Sequence, residues 1–186
     1  LQERETDDER PVIFLVQDEA RFGRITQPRR CWAPSGMRPC TPCQIIRQAL
    51  YAFTAVAPRS GEMTSLVLPT ANTEMMNIFL EHVSQQFSKF FLIMQVDGAS
   101  WHRSKGLHIP ENIRLLFQPP YSPEVNPVEH IWDDLREKYF VNRVFPSLDT
   151  LQELLCVALN AVSSDTDAIR SMTYFPHIRV ACEKAI

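Results

Sequence analysis

No run of about 18 apolar residues occurs anywhere in this sequence, which excludes a helix that spans a bilayer. A basic segment followed by an apolar one does not open the chain either, so a cytoplasmic protein is expected, with no membrane partner. Paired cysteines are also missing. The five present, Cys31, Cys40, Cys43, Cys156 and Cys182, are odd in number and scattered, which predicts free thiols. Cys40-Thr-Pro-Cys43 has the spacing of a zinc half-site but lacks a second pair, so two ordinary thiols are expected there. An excess of positive charge is lacking too. A net charge of −3 excludes a module that wraps DNA with its whole surface, but not a local basic face. Internal repeats and low-complexity segments are absent. What is there, 186 residues with 45% hydrophobic and 22% charged, suits one soluble domain with a full core.

Residues 1–11 read as a charged lead-in or linker, and 12–186 as the domain. Val12–Val16 and Phe90–Val96 are short continuous apolar runs, the pattern of strands covered on both faces. The first run ends at Gln17-Asp18-Glu19 and the second at Asp97-Gly98. Arg21–Arg38 reads as a loop carrying five arginines. Arg47–Val56 and Met63–Leu68, joined by a turn at Ala57–Gly61, read as an antiparallel hairpin. Asn72 or Thr73 opens a helix to about Phe87, with Met76, Phe79, Leu80, Val83 and Phe87 as its core stripe. Ser100–Leu107 reads as a polar loop or short helix, and Leu148–Val162 and Asp165–Met172 as two further helices.

Ile113–Phe117 reads as a third buried strand, and the segment after it is stiff. Pro119, Pro120, Pro123 and Pro127 forbid a long regular element there. Asn126-Pro127 is a helix start, because Asn caps the first turn and Pro suits the first helical position. The helix expected over Pro127–Tyr139 then carries Glu129 in its first turn and turns Trp132 towards the core. This order of elements predicts an α/β domain: a mixed sheet of about five strands, its first hairpin antiparallel, with helices on both faces. Right-handed crossovers place the Val12 and Phe90 strands side by side and parallel, flanked by the Ile113 strand.

Asp18 and Asp97 each follow a buried strand. Parallel neighbours about 4.8 Å apart project such carboxylates from one edge of the sheet, where open α/β sheets hold their ligands. Glu129 arrives at the same edge. An Asp after a strand commonly serves only a turn, and Glu129 could complete a capping box with Asn126. The joint placement is what separates the trio from those readings. Three clustered carboxylates need a cation, and hard oxygen ligands suit Mg²⁺ or Mn²⁺. Two such ions roughly 4 Å apart activate a water or 3′-hydroxyl and stabilise the leaving oxygen of a phosphodiester.

Four blocks then occur in order: Gln17-Asp-Glu-Ala-Arg-Phe-Gly23, Trp32-Ala-Pro-Ser-Gly36, Val96-Asp-Gly-Ala-Ser-Trp-His102 and Pro120-Tyr-Ser-Pro-Glu-Val-Asn-Pro-Val-Glu-His-Ile-Trp132. From about Val12 to Tyr139 the chain resembles the catalytic domain of mariner-type DDE transposases, in the bacterial insertion-sequence-630 branch. The resemblance implies an RNase H-like fold, with Asp18, Asp97 and Glu129 as the catalytic carboxylates holding two Mg²⁺ or Mn²⁺ ions. It implies cleavage of DNA at transposon ends and transfer of the 3′-OH into target DNA, by a homodimer associated with the bacterial nucleoid. Members also carry an N-terminal helix-turn-helix region, so this chain reads as the catalytic part alone. Gly98 stands where the family usually has Asn, which removes a side-chain hydrogen bond near the metals. The interval from Asp97 to Glu129 is a little shorter than usual in that branch.

Arginine binds phosphate bidentately, so Arg21, Arg24, Arg29 and Arg30 are candidate DNA contacts. Trp101, His102, Arg103 and Lys105 form a second candidate surface, since a basic cluster with an aromatic grips a strand and stacks on a base. Trp32 is expected to pack in the domain or on a partner. Two other readings stand beside the transposase: a structure-selective RNase H-like nuclease or resolvase, and a retired relic that binds DNA or a partner without catalysis.

Overall fold

The computed structural model of the protein describes residues 8–26, 28–120 and 122–185. Most of the charged lead-in, and Tyr121 of the proline-rich block, lie outside these. One five-stranded sheet runs in the order β3-β2-β1-β4-β5. Its strands are β1 (Val12–Ile25), β2 (Ile45–Ala57), β3 (Glu62–Leu68), β4 (Phe91–Val96) and β5 (Ile113–Phe117). β1 pairs parallel to β4, and β4 parallel to β5; β1–β2 and β2–β3 are antiparallel. The expected mixed sheet, with the Val12 and Phe90 strands as parallel neighbours, is therefore the one observed.

Five helices cover the sheet: α1 (Thr73–Gln86), α2 (Val128–Leu135), α3 (Leu148–Ser163), α4 (Thr166–Thr173) and α5 (Pro176–Ala185). The side chain of Asn72 caps α1, that of Ser147 caps α3 and that of Asp165 caps α4. Period-two alternation along β1 splits the core into two layers. Phe14, Val16, Ala20 and Phe22 pack beneath α2 to α5, with Trp132, Leu151 and Ile169. Leu15 faces the other way, where Met76, Phe79, Leu80 and Val83 of α1 close the second layer.

Three expectations need correction, and one helix was not expected. β1 does not stop at Val16 but runs to Ile25, because β2 continues to pair with it after β4 has ended. Arg21 and Arg24 thus lie on a strand, and the loop begins beyond them. β5 has only Ile113 buried and is an edge strand: β4 pairs with one side and, among the described residues, no strand with the other. α2 ends at Leu135 and passes into a π turn over Arg136–Phe140. α5 carried too weak a periodicity to be read from the chain.

Candidate active site

The last paired residues of β1 and β4 are Val16 and Gln95. Continuing that register brings Asp18 opposite Asp97, the first residue past β4, at the point where β1 loses its parallel neighbour. Asp18 sits on the α2 face, in line with Val16 and Ala20, and is only 8% exposed. Trp132 Nε1–H donates to its Oδ2 at 2.8 Å. Trp132 is itself fixed by an edge-on contact with Phe22, ring centroids 6.1 Å apart. Asn126 Oδ1 accepts the Val128 N–H at 3.1 Å, so Asn126 does cap the helix start as its position suggests. Glu129 in that first turn is exposed. Burial pushes the Asp18 carboxyl up to about 7, and the charges of Glu129 and Glu19 add to the effect against the Trp132 hydrogen bond.

Asp97 is held differently. Its Oδ1 lies 2.8 Å from His102 Nδ1 and accepts the Ala99 N–H at 2.9 Å. The His102 hydrogen bond holds this carboxyl below its ordinary range. His102 Nε2 lies 3.0 Å from Glu19 Oε1, which also accepts Trp101 Nε1–H at 3.0 Å. Both ring nitrogens therefore face carboxylates, an arrangement that the doubly protonated imidazolium satisfies. Burial works against that charge, but hydrogen bonds to Asp97 and Glu19 raise the imidazole to about 9.

Adjacent residues of β1 thus serve opposite faces: Asp18 meets Trp132 of α2, and Glu19 meets the 3₁₀ turn Ser100–Arg103. The charge of Glu129 reaches Asp18, and Asp97 lies opposite Asp18 when the register is continued. Among the described residues no three acidic or imidazole groups are drawn into a closed metal-binding cluster. The donor set itself, two carboxylates at one strand edge and a third on the helix beside it, with the ionisation of Asp18 suppressed mainly by burial, suits a hard divalent ion.

The structure divides the residues expected to meet DNA. Arg21, Arg30, Arg103 and Lys105 are exposed. Arg103 lies over the Phe117 ring at 4.8 Å. Arg29 is exposed, with a 3.5 Å ion pair to Glu137 at its tip. Arg24 is not free for phosphate: its Nε donates to the Phe145 carbonyl at 2.9 Å and its Nη2 to the Pro146 carbonyl at 2.6 Å. His102 is 2% exposed and supports Asp97 rather than presenting a stacking surface, while Trp101 is half-buried with its indole N–H on Glu19. Trp32 is fully exposed and does not pack within the domain. Sequence reasoning missed Glu19, whose only signal was its place beside Asp18, and also Arg136 and Arg143.

Over 111 residues the chain is 39% identical to the uncharacterized protein y4pE/y4sA of Sinorhizobium fredii, covering 59% of this chain and 82% of that one. Among solved structures it resembles the Mos1 mariner paired end complex with Mn, at a TM-score of 0.62 and 14% identity, over 87% of this chain and 53% of that one. The Mos1 strand transfer complex gives a TM-score of 0.59 at 12% identity, over 87% and 55%. The likeness to Mos1 shows a shared RNase H-like fold, and this chain spans about half the length of those proteins. The model of the family described as DDE superfamily endonuclease matches residues 13–152. With three quarters of its length inside that match, the chain belongs to the DDE superfamily endonucleases.

Proposed function

We propose that this domain is the catalytic part of a transposase, cutting DNA at transposon ends and joining the freed 3′-OH to target DNA. The observation that carries the reading is the placement of Asp18 and Asp97 at the point where β1 and β4 part, with the charge of Glu129 felt at Asp18. The relatives in the Mos1 structures form paired-end and strand transfer complexes, one with Mn, which supports a divalent metal, a DNA substrate and a pairing of two copies here.

Asp18, Asp97 and Glu129 would hold Mg²⁺ or Mn²⁺, two ions per site. When bound, these supply activation of a water or 3′-hydroxyl and stabilisation of the leaving oxygen. The protein's own part is to fix the donors. Trp132 locks Asp18 Oδ2 through the indole N–H. His102 and the Ala99 N–H occupy Asp97 Oδ1, leaving Oδ2 for a ligand. Glu19 in turn orients His102, as the outer partners of metal-binding groups do. Glu129 is presented from a helix start that the prolines before it make stiff.

The test is nicking of a supercoiled plasmid carrying the inverted repeats that flank the gene, in Mg²⁺. Asp97→Ala and Glu129→Ala are expected to reduce nicking to background while leaving the circular dichroism spectrum unchanged. Full cleavage by either variant refutes the assignment. Joined products from 3′-OH donor ends distinguish a transposase from a nuclease, which forms none.

A further inference from the structure

Past the carboxylate edge, β1 and the end of α2 diverge around a cavity of about 310 Å³ lined by four arginines, Arg21, Arg29, Arg136 and Arg143, and by one carboxylate, Asp133. Its walls are Phe22, Phe140 and Phe145, held ring to ring with centroids 4.9 and 5.9 Å apart. We propose that this cleft grips a backbone phosphate of the DNA strand that flanks the cut. The inference rests on the reading of the domain as acting on DNA, and adds where and how that DNA is held.

The guanidinium groups are available. No carboxylate pairs with Arg21 or Arg143 among the described residues. Arg136 has only a 3.9 Å contact with Asp133, besides stacking 5.6 Å from the Phe22 ring centroid. Arg29 meets Glu137 at 3.5 Å, with both side chains more than half exposed. Solvent-exposed pairs of this kind contribute little, so a phosphate displaces them readily. The rim is also built. Asn142, in the left-handed region at φ 54°, accepts the Arg29 N–H at 3.0 Å through Oδ1 and donates Nδ2–H to the Arg29 carbonyl at 3.3 Å. This pair of bonds fixes Arg29 and the neighbouring Arg143 on one rim. The aromatic walls keep water from one side of the cleft and strengthen the attraction of the arginines for an anion.

Position sets which phosphate is held. Arg21 is three residues beyond Asp18 on β1, about 10 Å at 3.3 Å per residue, and leaves the strand on the other side, where β4 no longer covers the edge. Arg136 is seven residues beyond Glu129, again about 10 Å along the helical segment. The cleft therefore meets a phosphate within a few nucleotides of the one being cut.

The experiment is fluorescence anisotropy of a 20-base-pair duplex bound to the chain in EDTA across a series of salt concentrations. Arg21→Gln with Arg143→Gln is expected to weaken binding at least tenfold and to flatten the slope of log K against log salt by about 1.8. Lys89→Gln, just before β4 at the opposite end of the sheet, is expected to leave the slope unchanged. Arg21→Lys with Arg143→Lys keeps both charges and is expected to retain the slope, which separates lost charge from lost folding. The proposal is overturned if wild type does not bind the duplex, if the double glutamine variant keeps the wild-type slope, or if Lys89→Gln flattens it equally. A flattened slope in a protein that never cleaves DNA supports the phosphate site while the catalytic reading falls.

Discussion

Replacing Asp18 with Asn removes a charge that the metal-free fold holds at a cost. Burial and the neighbouring acids raise this carboxyl from 3.8 to about 7. In the unfolded chain it ionises near its ordinary value, so between about pH 4 and 7 the folded state binds more protons than the unfolded one. The stability from this group is fully present below pH 4 and is lost as pH rises through 7. Three pKa units at about 1.4 kcal/mol each set a ceiling of about 4 kcal/mol. Asn is neutral throughout, and its Oδ1 still accepts the Trp132 indole N–H. Asp18→Asn is therefore expected to be more stable than wild type by about 2–4 kcal/mol at pH 8 in EDTA, and about equal at pH 4. For a domain of this length that is a rise in Tm of roughly 5–15 °C at pH 8. Scanning calorimetry at the two pH values checks this. Mn²⁺ at 100 times its Kd should raise wild-type stability by about 2.7 kcal/mol and the variant's by much less. A variant less stable than wild type at pH 8, or a difference that does not change with pH, refutes the argument.

Two other substitutions test the frame around the site. Gly61 turns the β2–β3 hairpin at φ 79°, and a Cβ there would overlap the Thr166 carbonyl at the start of α4. Gly61→Ala should cost at least about 2 kcal/mol in urea denaturation, from left-handed strain and the forced shift of α4; a loss under about 0.5 kcal/mol would contradict this. At Gly98 the space is open, with no atom within 4 Å of where a Cβ would sit and no positive φ. Gly98→Asn should fold normally and tighten Mn²⁺ binding several-fold in calorimetry by restoring a side-chain hydrogen bond beside Asp97; unchanged or weaker binding counts against it.

The parallel pair at the heart of the sheet was legible because Val12–Val16 and Phe91–Val96 are apolar on both faces, and such runs have few other uses. Asp97 could be placed past a strand end and Glu129 at a capped helix start, whereas Asp18 lies inside β1, two residues past its last pair with β4. The rest of β1 was obscured by its arginines. Ala20 and Phe22 do alternate with Glu19, Arg21 and Gly23, as a half-covered strand should, but the charge density favoured a loop. The inward turn of Trp101 and His102 could not be read from their own neighbours. It depends on Glu19, more than 80 residues earlier in the chain, being buried on that face. Arg24 shows the same limit: its partners are the carbonyls of Phe145 and Pro146, and a carbonyl acceptor leaves no trace in composition.

Two consecutive side chains, Asp18 and Glu19, fasten β1 to both layers of the molecule at once. A strand tied on its two sides at neighbouring positions cannot slide. A shift of one residue would turn Glu19 towards the indole of Trp132 and Asp18 towards the imidazole of His102, inverting the layers throughout its length. Insertions or deletions between Val12 and Asp18 should therefore be harmful out of proportion to their size, even though single substitutions at several of those positions would be absorbed.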